Sequence, residues 1–390
     1  MIQSLTLRLS LIFIVTALSS CAGWYAGDTG EGVSASSGTI QRVWSVDVDQ
    51  REPGDPSGFS QAAVVSAQGS SKELIVIGGR DGRVRVYDLN GRELHSITIN
   101  EPSDSGALGL KNGLVVLSDV GGMLYGIDPV QGVIAWQYQL TSPFLAQPVL
   151  LNDGFLVQTM DNRIYNFSSD GKKLWSYAGH GSGLSMYMSA YPLVVGQSVY
   201  AVLTNGDAVA LKAGSGDLLW RRQLLLNTDA AVLSELRAPI SSPVHLNQAV
   251  IGIEKTGDAL LVAFYQGKIQ VLSREDGSQF FGREISIKST PLIDQGHIYI
   301  ANASGEVLAI DLATGATAWK QKLSDGELLG PVVWKNSLWV VDDRGIVMRL
   351  GKDGRKQASV TLNGRIERAP IVTSAGLLAR TGRGVLTLLR

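Results

Sequence analysis

The stretch Gly296-His-Ile-Tyr-Ile-Ala-Asn-Ala-Ser-Gly305-Glu-Val-Leu-Ala-Ile-Asp311-Leu-Ala-Thr-Gly315-Ala-Thr-Ala-Trp319 decides the fold. Residues 298–301 and 306–310 are apolar-rich runs of strand length, joined at Ser304-Gly305. Such a pair suits a hairpin, because glycine takes positive φ without strain. A second turn ending at Gly315 leads to a third strand starting at Trp319. The unit recurs from Gly82 to His95, Gly122 to Trp136, Asn162 to Trp175, Gly206 to Trp220, Gly267 to Phe281 and Gly345 to Ala358. The second-turn glycines, at 91, 132, 171, 216, 277, 315 and 354, are spaced by 41, 39, 45, 61, 38 and 39 residues. First-turn positions fall at 82, 122, 162, 206, 267, 305, 345 and 384, which makes eight. Short strands lead into most units just after Pro148, Pro192, Pro243, Pro291, Pro331 and Pro370. Four strands in about 40 residues is the period of a propeller blade.

The eighth unit ends at Val385-Leu-Thr-Leu-Leu-Arg390 and lacks its outer strand. The missing strand lies at the other end of the chain, where Val43-Trp44-Ser-Val-Asp-Val48 carries the outer-strand tryptophan. Pairing it with the last blade closes the ring and removes two open edges. The expected fold is therefore all-β, an eight-bladed β-propeller over residues 40–390, four strands per blade. Seven blades plus an odd hairpin is the alternative. The residue four places after each second-turn glycine is large in most copies. A side chain there reaches over the neighbouring blade, and a buried indole brings 150–250 Å² of surface with an N–H that needs an acceptor. Trp44, Trp136, Trp175, Trp220 and Trp319 are thus read as structural staples.

Composition narrows the function classes. The 390 residues include 45 glycines, about one in nine, but only 12 scattered prolines, so this is neither collagen nor linker. With 45% hydrophobic residues the chain can bury a large core. The formal charge is −1 with no block of like charges. Nucleic acid as the main partner is excluded, since phosphate binding needs a basic stripe. Cys21 is the sole cysteine, so intrachain disulfides and cysteine-based zinc or redox sites are excluded.

Arg8 precedes an apolar run, Leu9 to Leu18, too short to span a bilayer but of the length of a secretory signal core. Leu18-Ser19-Ser20-Cys21 resembles the bacterial lipobox. The resemblance implies a signal peptide over residues 1–20, cleavage before Cys21, and acylation of that cysteine. Two or three chains anchor firmly where one is marginal. Ala22, rather than aspartate, follows the cysteine, which implies sorting to the outer membrane. Residues 21–39 are small and polar and read as a lipidated, flexible tether.

Ala309-Ile-Asp311-Leu-Ala-Thr314-Gly315-xxx-Trp319 resembles the tryptophan-docking motif of quinoprotein-like propellers, over nearly the whole mature chain. A lipobox, a short tether and one eight-bladed propeller together resemble the lipoprotein family of the outer-membrane β-barrel assembly machine. That resemblance implies a non-enzymatic scaffold without cofactor or metal. It implies a lipid-anchored protein on the periplasmic face of the outer membrane, monomeric outside its complex. Its partner there is a BamA-like assembly protein, bound through the periplasmic POTRA domains. Two stretches compare with the family. In Gly183-Leu184-Ser185-Met186-Tyr187-Met188, Leu184 and Met186 match a pair of leucines, and Tyr187 stands in place of a partner-binding arginine. In Leu236-Arg237-Ala238-Pro239-Ile240, Ala238 and Ile240 replace two aspartates. The expected partner-binding set is Leu184, Met186 and Tyr187 as apolar anchors, Arg237 as a charged rim, and Ile240, on an interface more apolar than the family's usual one.

The 61-residue interval between Gly216 and Gly277 marks the same region independently. Its excess lies in 224–239 and 254–258, and propeller insertions map to loops on one face, often the binding face. Val232-Leu233-xx-Leu236 has helical spacing. Other functions find less support. A quinoprotein dehydrogenase shares the fold, but this chain lacks paired cysteines and a calcium loop. Asp47, Asp49, Glu52 and Asp55 are the densest acidic group and read as a solvated loop. Gly179-His180-Gly181-Ser182-Gly183 is not a nucleophile elbow, because glycine stands two places after the first glycine. An envelope propeller that binds another protein, cell-wall glycan or a small ligand is the alternative reading.

Overall fold

The computed structural model describes residues 38–50, 56–66, 72–180, 190–224, 241–247, 258–265 and 267–390. They fall within one compact unit, 37–390. The strands form eight separate four-stranded antiparallel sheets. Blades one to seven are meanders over residues 63–98, 108–139, 149–178, 193–223, 244–284, 292–322 and 328–361. Blade eight takes three strands from 371–389 and its outermost from Arg42–Asp47. That closing strand pairs antiparallel with Val385–Leu389, with Trp44 opposite Leu388. Gln41 and Arg390 exchange backbone hydrogen bonds at 2.9 and 3.0 Å, so the last bonds of the ladder join the start of the closing strand to Arg390. The ring therefore has eight blades, and the odd hairpin of the alternative is absent from the described residues.

Middle strands read as continuous apolar runs because both of their faces are covered. Glu73–Gly78 shows why. Leu74 and Val76 enter a cluster shared with blade two, whereas Ile75 and Ile77 enter one shared with blade eight. The core is eight such clusters, one at each junction between neighbouring blades. Outermost strands have one covered face and alternate instead, as Val133–Gln139 does.

Two strand starts differ from the sequence expectation. The outer strand of blade six begins at Thr317, two residues before Trp319. The inner strand of blade seven runs from Leu328 through Pro331 to Trp334. Its register slips between Leu329 and Val332, where proline has no N–H to give the ladder.

Candidate functional site

In each meander the second-to-third turn and the departure to the next blade share one end of the ring. The first-to-second and third-to-fourth turns share the other. The two ends differ in chemistry.

At the second end, the indoles meet the glycine turns. Trp136 Nε1 donates to Ser169 O at 3.2 Å, Trp175 to Ala213 O at 2.9 Å and Trp220 to Arg274 O at 3.0 Å. Trp319 donates to Lys352 O and Trp44 to Leu89 O, both at 2.9 Å. Each acceptor lies in the third-to-fourth turn of the following blade. Gly171 shows what the turn requires: its φ is +82°, and a Cβ would lie 2.5 Å from the Trp136 ring. His95 takes the tryptophan position in blade one; its Nε2 hydrogen-bonds Val130 O at 3.1 Å beside Gly132. Since a carbonyl only accepts, that nitrogen carries the proton.

The first end carries ion pairs. Arg344 binds Asp342 at 2.9 Å, Arg365 binds Asp343 at 2.7 Å, and Arg80 pairs with Asp104. Lys288 pairs with Glu327, which also accepts from Tyr265 Oη at 2.8 Å. Burial pushes the Lys288 ammonium down, but Glu327 outweighs it and the group is held above its ordinary value. Burial pulls the Asp342 carboxyl up, yet Arg344 and the Ser324 hydroxyl hold it below the usual carboxylate range. A depressed carboxyl adds stability above its unfolded pKa of about 3.9 and loses it as pH falls through the lower folded value. Asp342→Asn is therefore expected to cost about 1.5–3 kcal/mol at neutral pH. The deficit should shrink when urea melts are repeated below about pH 4.

Asp49 corrects the reading of a solvated acidic loop. Its side chain is fully buried and binds Arg380 Nη2 through both oxygens, at 2.8 and 2.7 Å. Oδ1 also accepts from Arg80 N at 3.0 Å. Asp47 is exposed and accepts from the backbone of Asp49 and Gln50, and Glu52 and Asp55 lie outside the described residues. Asp49 thus ties the closing strand to both blade one and blade eight.

The innermost strands surround a channel whose mouth at this end is a cavity of about 300 Å³. Gln61, Gln147, Tyr191, Ser289, Gly330 and Arg368 are among its walls, drawn from six blades or their leading connections. Hydrogen bonds lace the rim. Tyr191 N donates to Ser242 Oγ at 2.9 Å, Ser242 N to Thr290 Oγ1 at 3.2 Å, and Gly330 N to Ser289 Oγ at 2.9 Å. Leu184, Met186 and Tyr187, and likewise Arg237 and Ile240, lie outside the described residues, as do Ala238 and Cys21. Their neighbours in the chain are placed. The first stretch leaves at His180 and returns at Ala190-Tyr191, and the second leaves at Leu224 and returns at Ser241-Ser242. The Tyr191–Ser242 bond therefore joins the two return points on one side of the rim. His180 receives a hydrogen bond from Arg221 Nη1 at 2.8 Å, and the Gly-Ser-Gly that follows lies outside the described residues. Among the described residues, no group of three or more His, Cys, Asp or Glu is placed to hold a metal ion.

Eight four-stranded blades, five of them stapled by indoles on the next blade's glycine turn, define a quinoprotein-like β-propeller. The fold is shared with a quinohemoprotein alcohol dehydrogenase from Pseudomonas putida, at a TM-score of 0.68 and 12% identity over 89% of this chain and 76% of that one. It is also shared with the crystal structure of BamB from Moraxella catarrhalis, at a TM-score of 0.75 and 21% identity over 90% of this chain and all of that one. Sequence separates the two. The family model described as outer membrane protein assembly factor BamB matches residues 80–321, and the chain belongs to that family. A relative from Bordetella pertussis, named outer membrane protein assembly factor BamB, is 26% identical over 358 residues, 90% of this chain and 87% of its own length.

Proposed function

We propose that this chain is a non-enzymatic scaffold of the outer-membrane β-barrel assembly machinery, bound to the periplasmic POTRA domains of a BamA-like partner. The family supports the assembly role. The observation that carries the docking face is the Tyr191–Ser242 hydrogen bond, which sets the return points of both family-matching stretches side by side. Leu184, Met186 and Tyr187 then supply apolar anchors, Ile240 extends them and Arg237 forms the charged edge. Tyrosine and arginine are common anchors at protein interfaces. Among the described residues the rim carboxylates Asp49, Asp104, Glu327, Asp342 and Asp343 are already paired within the chain, so the rim adds specificity through shape more than through free charge.

Acylation of Cys21 holds the propeller at the periplasmic face of the outer membrane, with residues 22–39 as the tether. Confinement raises the effective concentration beside a membrane partner, and modest intrinsic affinity then suffices. The indole-and-glycine layer at the opposite end keeps the ring rigid. A strain lacking the chain should show lower levels of outer-membrane β-barrel proteins with lipoproteins unchanged. Normal barrel levels would favour another envelope partner. Replacing both Leu184 and Met186 by Ala should weaken POTRA binding at least tenfold, about 1.4 kcal/mol or more. The melting temperature should stay within about 1–2 °C, as expected of a pair whose work is binding and not packing.

A further inference from the structure

Where blade eight meets blade one, a small recess of about 20 Å³ lies beside the channel mouth. Arg368 and Arg380 both line it, with Phe59, Gln61 and Glu367. The nearby charges do not balance in pairs. Arg380 is matched by Asp49 and Arg80 by Asp104. Glu367 is engaged by Arg365, Oε1 to Nε at 3.2 Å. Arg368 has only carbonyl partners among the described residues, Phe59 O from Nε at 2.7 Å and Leu145 O from Nη2 at 2.9 Å. Arg380 Nε is buried with no hydrogen-bond acceptor. Two guanidiniums thus border one recess with an unused N–H, and only one of them has a carboxylate. Arg368 is partly buried between this recess and the channel mouth, and the carboxylate that acts on it, Asp104, is already bound by Arg80, so a partly desolvated cation is left without a carboxylate of its own.

We propose that this recess binds a small monovalent anion of the halide class, chloride in the cell, held between Arg368 and Arg380 across the junction that closes the ring. Size selects the ligand. A space of about 20 Å³ admits one water or one halide, but not phosphate or an organic carboxylate. Charge then favours the halide over water. Burial pulls the Arg368 guanidinium down to about 10, with Asp104 opposing the fall and Arg380 adding to it, and a bound anion would raise it again. Because the anion touches the last blade and the connection into the first, it stabilises the closed ring over the opened one by mass action.

Crystals soaked in sodium bromide should show an anomalous peak in the recess, within hydrogen-bonding distance of both arginines. Melting in sodium chloride should exceed melting in sodium gluconate of equal ionic strength by about 2–4 °C. Arg368→Gln should abolish that difference. A recess occupied by ordered water with no bromide peak overturns the proposal, and so does a chloride effect that Arg368→Gln leaves intact. The bromide arm uses the unaltered protein and so stands even if the variant folds poorly.

Discussion

Asp49→Ala is expected to destabilise the propeller by about 3–5 kcal/mol, measured as the loss of unfolding free energy in urea. The substitution removes few apolar contacts. Its effect is electrostatic: Arg380, 8% exposed, would keep its charge and lose its carboxylate, and Arg80 N would lose an acceptor. Asymmetry between breaking a buried pair and replacing it gives a sharper test. Asp49→Leu with Arg380→Met removes both charges together and should recover much of the loss. Equal damage from the double and single changes would show that packing, and not the stranded charge, carries the effect. The damage should concentrate at the closure, so limited proteolysis of Asp49→Ala is expected to release the segment containing Arg42–Asp47 first.

Trp175→Ala is expected to cost about 3–5 kcal/mol. Its indole is 8% exposed, packs in the cluster between blades three and four, and donates to Ala213 O. Truncation leaves a cavity and strips that carbonyl of its donor. The staple also needs its receiving turn, which blade eight lacks. There the paired residues Gln41 and Arg390 occupy the place of a third-to-fourth turn. Ala358 holds the equivalent position in blade seven and packs into the cluster with blade eight. Ala358→Trp should therefore bring no gain in stability, despite restoring the repeat's consensus. A clear gain would mean that the indole acts through area alone, without the glycine turn.

The ring was legible because its punctuation is chemical. Each of the seven second-turn glycines has positive φ in the structure, a region that favours glycine, so counting them counted the first seven blades, and the eighth first-turn position, Gly384, gave the last. Trp44, at the wrong end of the chain for the repeat, announced the closing strand. The ion pairs were not legible. Asp49 and Arg380 are 331 residues apart, and an aspartate in an acidic run before a proline-glycine loop reads as solvent-facing. Arg368 carries no motif at all, and its two carbonyl partners, Phe59 and Leu145, come from the connections into blades one and three. Periodicity records which faces pack. It does not record which single charges the ring closure brings together.

Calorimetric titration of residues 22–390 with the POTRA domains of the same organism's BamA-like protein tests the scaffold assignment most directly. The account predicts saturable binding in about the micromolar range, weakened at least tenfold by the joint Leu184→Ala and Met186→Ala change. No heat of binding at about 100 μM partner, with the propeller folded, would contradict it.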